Sequence, residues 1–369
     1  MIRLEHVTKS YDDKPAVDDL SFRVEKGEIC VLIGPSGCGK TTTLRMINRL
    51  IEPTSGKIWV NNAEISNSKP EQLRRSIGYA IQSVGLFPHM TVAANIAVVP
   101  KLLKWDKARI SERGDELLKL VGLDPAKYGA KYPKQLSGGE AQRIGVARAL
   151  AADPPVLLMD EPFGAVDPLT RQRLQSQFLQ IQRQLKKTII LVTHDLEEAI
   201  RLADRIAVMQ AGKLVQHDTP EAILAKPVNK FVHDFVGVDR ALKRLSRIGV
   251  ANFIRPAPAV KETTDPQSVM KAFDGRRSVW VVDTENRPIG WIDRVGMNGY
   301  TSAAEVMVRV DLAEMSVTAN DTLREALSKM LGMGFKSLPA VDEQGRFLGE
   351  MTLAEIEAAT ADVEKTNHV

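Results

Sequence analysis

The segment Gly34-Pro35-Ser36-Gly37-Cys38-Gly39-Lys40-Thr41 fills every fixed position of the pattern G-x-x-x-x-G-K-[ST]. A Gly-rich turn between a strand and a helix aims several backbone N–H groups at one point, and the helix N-terminus adds partial positive charge there. That chemistry suits a phosphate. Lys40 is placed to reach β- and γ-phosphates, the Thr41 hydroxyl to bind Mg²⁺, and Thr42 continues the helix start. The flanks agree: Glu28 to Ile33 is a short apolar run that reads as a buried strand. Thr41 to Leu50 reads as a helix with Leu44, Ile47 and Leu50 apolar.

A second chemical site follows downstream. Pro155 to Met159 reads as an apolar strand ending in Asp160-Glu161. In a parallel sheet an acid at the C-terminal end of a buried strand lies on the ligand side. Asp160 is the expected Mg²⁺ holder and Glu161 the group that polarises an attacking water. Between the two sites, Leu136-Ser137-Gly138-Gly139-Glu140-Ala141-Gln142-Arg143 sets a Ser and two Gly at a helix start, a second N–H cradle for an anion.

This Leu136–Arg143 segment resembles the signature sequence of ATP-binding cassette (ABC) ATPases, with Glu140 standing where Gln is usual. The resemblance implies a homodimer in which Ser137, Gly138, Gly139 and Glu140 of one subunit close over ATP held by the phosphate loop of the other. It also implies roles for other positions. Tyr11 matches the aromatic residue stacked on adenine. Ile77-Gly78-Tyr79-Ala80-Ile81-Gln82 resembles the Gln loop, with Gln82 reaching Mg²⁺ and water. Ala165-Val166-Asp167 resembles the loop that speaks across the dimer, and His194 resembles the switch histidine at the γ-phosphate. His194 ends the strand Thr188 to Val192, on the ligand side of the expected sheet.

Composition narrows the classes. The chain has 369 residues, enough for two or three domains, and no run approaches the roughly 18 apolar residues of a membrane helix. Met1 to Glu5 enters a polar strand-like pattern at once, unlike a signal peptide. A soluble chain is expected, and the family resemblance implies a peripheral place at the cytoplasmic face of the cell membrane, held through a permease. Two Cys give no disulfide framework; Cys30 reads as a core residue, and Cys38 occupies a variable loop position among the phosphate-holding amides. A net charge of +4 is too weak for a nucleic-acid footprint, so no nucleic-acid partner is expected.

The expected fold class is α/β: a P-loop ABC ATPase domain over residues 1–240 with a parallel core sheet, an antiparallel β subdomain and a helical subdomain, then a tandem pair of cystathionine-β-synthase (CBS) domains. The antiparallel part is read from the alternation Ile2, Leu4, Val7, then Leu20, Phe22, Val24. The helical part is read from residues 83–150, with Leu117, Leu118, Leu120 and Val121 as one stripe. A linker is expected at 241–250, CBS-like units at 251–309 and 310–362, and a tail at 363–369. The pair rests on a repeat: Asp265-Pro266 and Asp321-Thr322 each start a helix, and Asp283 and Gly290 recur as Asp342 and Gly349. In CBS domains a Thr or Ser followed by Asp often binds ribose and phosphate. Here Thr352 is followed by Glu355 and the first unit offers Asp293, so an adenine nucleotide at the pair stays an open question against a purely structural role.

An ABC ATPase with such a tail looks like the energising subunit of a compatible-solute importer for a quaternary amine. The stretches Met159 to Pro168 and Phe231 to Gly237 resemble that branch. The implied partners are a transmembrane permease subunit, a second copy of this chain, and indirectly an extracytoplasmic solute-binding protein. The alternatives are another importer branch, such as amino-acid uptake, and a soluble non-transport ABC ATPase. The single phosphate loop and the lack of basic arms weigh against the latter.

Overall fold

The computed structural model describes residues 1–12, 14–81, 85–164, 167–237, 239–296, 302–309 and 311–361. The chain divides after Gly237 into two compact units.

The first unit holds two sheets. β1 (Ile2–Tyr11), β2 (Lys14–Val24), β4 (Ser55–Val60) and β5 (Ala63–Glu64) form an antiparallel sheet in the order β2-β1-β4-β5. Its register pairs Ile2 with Val24, Leu4 with Phe22 and Val7 with Leu20, the alternating apolar positions of the sequence, all facing one core. The second sheet runs β10-β9-β3-β8-β7-β6, where β3 is Ile29–Ile33, β6 Ile77–Ala80, β7 Val156–Asp160, β8 Thr188–Val192, β9 Arg205–Gln210 and β10 Lys213–Asp218. All its pairings are parallel except the β9–β10 edge. β3, β7 and β8 are buried at every residue, as strands covered on both faces must be.

One core lies between the two sheets and contains Cys30, Leu32, Leu44, Ile47, Leu158 and Met209. The other lies under the helical subdomain, where Leu117, Leu118 and Val121 are buried with Leu120 packed against them. The helix after the phosphate loop spans Lys40–Ile47 and stops short of Leu50. Arg49 turns the chain at φ +50° and its guanidinium bonds the Ile65 carbonyl at 2.9 Å. Leu50 therefore lies outside the helix and is exposed. The helix Lys230–Val236 closes the unit by burying Val232 and Val236 in the core under the helical subdomain.

The second unit repeats one motif. β12 (Ser278–Val282) and β13 (Pro288–Asp293) pair antiparallel between β11 (Ala259–Lys261) and β14 (Val308–Arg309). β15 (Val317–Thr318), β16 (Ser337–Val341) and β17 (Phe347–Thr352) form the companion sheet. The duplication reaches the hydrogen bonds. Asp283 accepts from the N–H of Glu285 and Arg287 at 2.9 and 2.8 Å and from Arg287 Nε at 2.9 Å. Asp342 does the same for Gln344 and Arg346 at 2.9 and 2.8 Å, and for Arg346 Nε at 2.7 Å. The first repeat helix is capped by Asp265, whereas the second is capped by Thr322, one residue beyond the expected Asp321. Residues 241–250 do not form an open linker: Arg240–Leu245 is helical, and Leu245 and Val250 are buried in the second unit's core. Their apolar side chains decide this.

Candidate active site

The phosphate loop leaves the buried end of β3 with Gly34, Gly37 and Gly39 at φ +152°, +79° and +103°. Gly34 is sterically required: a Cβ there would lie 2.1 Å from the Met209 carbonyl oxygen of β9. At Gly39 a Cβ would lie 2.5 Å from the Ala16 carbonyl oxygen. The loop is thus pressed between both sheets. The Lys40 ammonium donates to the Gly34 and Pro35 carbonyls at 2.7 and 3.0 Å, and the residue is only 8% exposed. The loop's own carbonyls thus hold the cation within the loop.

β3 and β7 are not neighbours; β8 lies between them. Asp160 reaches the loop because the helix Lys40–Ile47 crosses over β8, and Thr41 Oγ1 donates to Asp160 Oδ1 at 3.0 Å. Burial pushes the Asp160 carboxyl up, the Thr41 hydrogen bond pulls it back, the Glu161 charge raises it, and Arg45 and Lys40 lower it. Arg45 also hydrogen-bonds Tyr79, whose hydroxyl is pushed up by burial and by the Asp160 charge. Sequence reasoning missed this role of Arg45; its place four residues beyond Thr41, on the same helix face, is the signal that could have found it.

Glu161 follows with φ +47°, a left-handed turn at the strand end. Its N–H is tied to the Val192 carbonyl of β8 at 2.9 Å. A non-Gly residue held there carries roughly 1–3 kcal/mol of backbone strain. The turn takes the Glu161 side chain off the line of β7 and toward β8, where His194 Nδ1 stands 3.3 Å from its Oε1. The backbone that follows His194 is fixed by its neighbours. Asp195 caps the helix Leu196–Leu202 by accepting from the N–H of Glu197 and Glu198, and its own N–H bonds Thr193 Oγ1 at 3.0 Å. Ser36 to Thr42, Glu161 and His194 line one cleft of about 240 Å³.

The second cradle is a separate cleft of about 460 Å³, lined by Ser137, Gly138, Gly139, Glu140, Arg143 and Asp167 among others. Ser137 caps the helix Gly138–Leu150 in a reciprocal capping box with Glu140. The Ser137 N–H donates to Glu140 Oε2 at 2.8 Å, and the Tyr128 hydroxyl donates to Glu140 Oε1 at 2.6 Å. The Tyr128 bond first, then Ser137, holds the Glu140 carboxyl below its usual range, and the same bond raises Tyr128. Asp167 caps the helix Pro168–Leu185 by accepting from the Thr170 N–H at 3.0 Å.

Tyr11 ends β1 with its ring half exposed and the Lys9 ammonium 5.0 Å from its centroid. Cys38 departs from expectation. It is 3% exposed and packs in the core between the sheets, with Sγ 3.7 Å from Lys40 Nζ, so its thiol is buried at the base of the loop although the residue still lines the cleft. Gln82, Ala165 and Val166 lie outside the described residues.

The family model for the ABC transporter matches residues 17–164, and that for the CBS domain matches residues 303–361. The chain is 47% identical over 362 residues to the osmoprotectant import ATP-binding protein OsmV of Salmonella typhimurium, covering 95% of this chain and 94% of that one. The chain is an ABC transporter ATP-binding subunit. This ABC ATPase is also 46% identical to the glycine betaine/carnitine/choline transport ATP-binding protein OpuCA of Bacillus subtilis, over 96% and 95% of the two chains. Among solved structures it resembles a dimeric post-hydrolysis state of an ATP-binding cassette bound to ADP and Pi. That match has 31% identity and a TM-score of 0.55, and covers 60% of this chain and 99% of that one. The ABC ATPase hydrolyses ATP to energise transport. No helix among its described residues is long and apolar enough to cross a membrane.

Proposed function

We propose that this ABC ATPase powers uptake of a quaternary-amine compatible solute through a partner permease at the cytoplasmic face of the membrane, with an extracytoplasmic solute-binding protein acting on the permease side. The observation that carries the engine is the convergence of Lys40, Thr41, Asp160, Glu161 and His194 from three strand ends. The solute class is supported by the functions of relatives aligned over nearly the whole chain.

Each residue then has a role. The N–H groups of residues 36–42 and the Lys40 ammonium bind the phosphates, and Tyr11 supports the adenine. Thr41 Oγ1 and the Asp160 carboxylate are hard oxygen donors of the kind Mg²⁺ takes, and they already stand within hydrogen-bond distance. When bound there, the ion neutralises charge on the β- and γ-phosphates. Glu161 accepts the proton of the attacking water, and His194 orients the γ-phosphate side of the cleft. Ser137, Gly138 and Gly139 of a second copy complete the site, with Asp167 at the seam, because within one chain the two cradles form separate clefts. The second unit regulates this engine. An adenine nucleotide is its candidate ligand, although the Thr352 hydroxyl is already engaged by Glu355.

Co-purification with the partner permease, followed by ATPase assays with glycine betaine, carnitine, choline and an amino acid, tests this reading. Stimulation by quaternary amines is expected. Stimulation by the amino acid alone would assign another importer branch.

A further inference from the structure

An acid at the third position of a helix ordinarily complements the helix dipole. At Glu140 it creates a conflict, because the same helix start is read as receiving nucleotide phosphates, and two negative groups at one N-terminus repel. The structure resolves the conflict locally. Both Glu140 oxygens are taken by protein donors, Oε2 by the Ser137 N–H at 2.8 Å and Oε1 by the Tyr128 hydroxyl at 2.6 Å. The Gly138 and Gly139 N–H groups belong to the first turn, which has no intrahelical acceptors for them.

Tyr128 is well braced for this. It ends the short helix Pro125–Tyr128, which Asp124 caps by accepting from the Ala126 N–H at 3.0 Å. Its ring packs against the core of the helical subdomain, and the Lys131 ammonium lies 4.1 Å from the ring centroid. Lys131 adds positive charge near the Glu140 carboxylate.

We propose that Tyr128 is a positioning residue for the signature cradle, holding the Glu140 carboxylate back from the phosphates that Ser137, Gly138 and Gly139 receive. The inference rests on the reading of that segment as a phosphate cradle. Without the hydroxyl, Glu140 keeps only its bond to Ser137 and is free to swing into the cleft that it lines. A neutral amide at position 140 would need no such restraint, so the importance of Tyr128 is conditional on the acid.

The test uses the full chain. Tyr128→Phe removes one oxygen and keeps the ring. KM for Mg-ATP should rise about three- to tenfold, less than a buried charged hydrogen bond would give because water partly replaces the hydroxyl. kcat should change less than about twofold, and ATP-dependent dimerisation of Glu161→Gln chains should weaken by a similar factor to KM. In a Glu140→Gln background, the same Tyr128→Phe change should alter KM less than about twofold. Unchanged KM and association in Tyr128→Phe would overturn the proposal. So would equal losses in both backgrounds, which would make Tyr128 a support of the fold instead of a restraint on charge. Ser137→Ala separates the premise: if it leaves ATP-dependent dimerisation intact, the cradle reading itself fails and the proposal falls with it.

Discussion

His194 Nδ1 and Glu161 Oε1 lie 3.3 Å apart at the ends of two adjacent parallel strands. The backbone at each is held by its own device: the left-handed turn and backbone bond to β8 for Glu161, the Asp195 cap just after His194. On the proposed reading, Glu161 is the base that activates water against the γ-phosphate beside this imidazole. Glu161→Gln should therefore bind Mg-ATP and accumulate as a dimer, with steady-state turnover lowered about 10²-fold or more. Phosphate release and size-exclusion chromatography with ATP measure the two effects. Near-normal turnover would remove Glu161 from the mechanism.

Gly34 is the most sterically committed loop residue. The Cβ of Gly34→Ala would meet backbone at 2.1 Å and the Cys38 sulfur at 2.8 Å, at φ +152°. Neither the β9 carbonyl nor the strand beneath it can move cheaply. Gly34→Ala should lose ATP binding and about 3 kcal/mol or more of stability, in the range of strained core substitutions. Urea unfolding of the first unit reads the loss.

Cys38 is buried in the core between the sheets. A bulky thiol reagent should label it only through local opening, at a rate that climbs with urea. Cys38→Ala should keep most of its activity, with a stability loss of about 1 kcal/mol for one buried sulfur. Fast labelling in native buffer that ATP blocks would restore the outward orientation.

His217 in β10 packs edge-on against Phe22, and burial first, then Arg205, lowers its pKa to about 4. The unfolded chain protonates this imidazole near 6.5, before the folded chain does, so its contribution is complete above pH 6.5. It is then lost progressively as pH falls toward 4. Because the ring is partly solvated, the loss should be about 1–2 kcal/mol. Stability of His217→Gln, followed by urea midpoints from pH 7 to 4, should decline less steeply than that of the native chain.

A truncation after Gly237 should leave a folded ATPase with near-native basal turnover, since the helix Lys230–Val236 is intact and the core of the first unit is closed. Truncation at residue 250 should express less well, because it strands Leu245 without the core that buries it. Transport at varied salt, with and without the second unit, measures the control assigned to that unit. An unchanged salt response would leave it a structural appendage.

What the sequence determined by itself was chemistry and local form. The phosphate loop, the Asp160-Glu161 strand end, the Ser137 helix start and the alternating apolar positions of β1 and β2 are all short-range patterns. Glycine freedom, strand periodicity and capping are properties of a few consecutive residues. The Asp283 and Asp342 turns were legible for the same reason, since each closes on its own next four residues. Tertiary structure decided what lies between distant segments. The strand order put β8 between the phosphate loop and the acid strand, so Thr41 meets Asp160 only because a helix crosses over. Core packing between the sheets buried Cys38, and a contact from another helix gave Glu140 its second partner in Tyr128. Apolar burial drew the supposed linker into a core. Those outcomes depend on which surfaces pack together, and packing is a sum over segments that no local window contains.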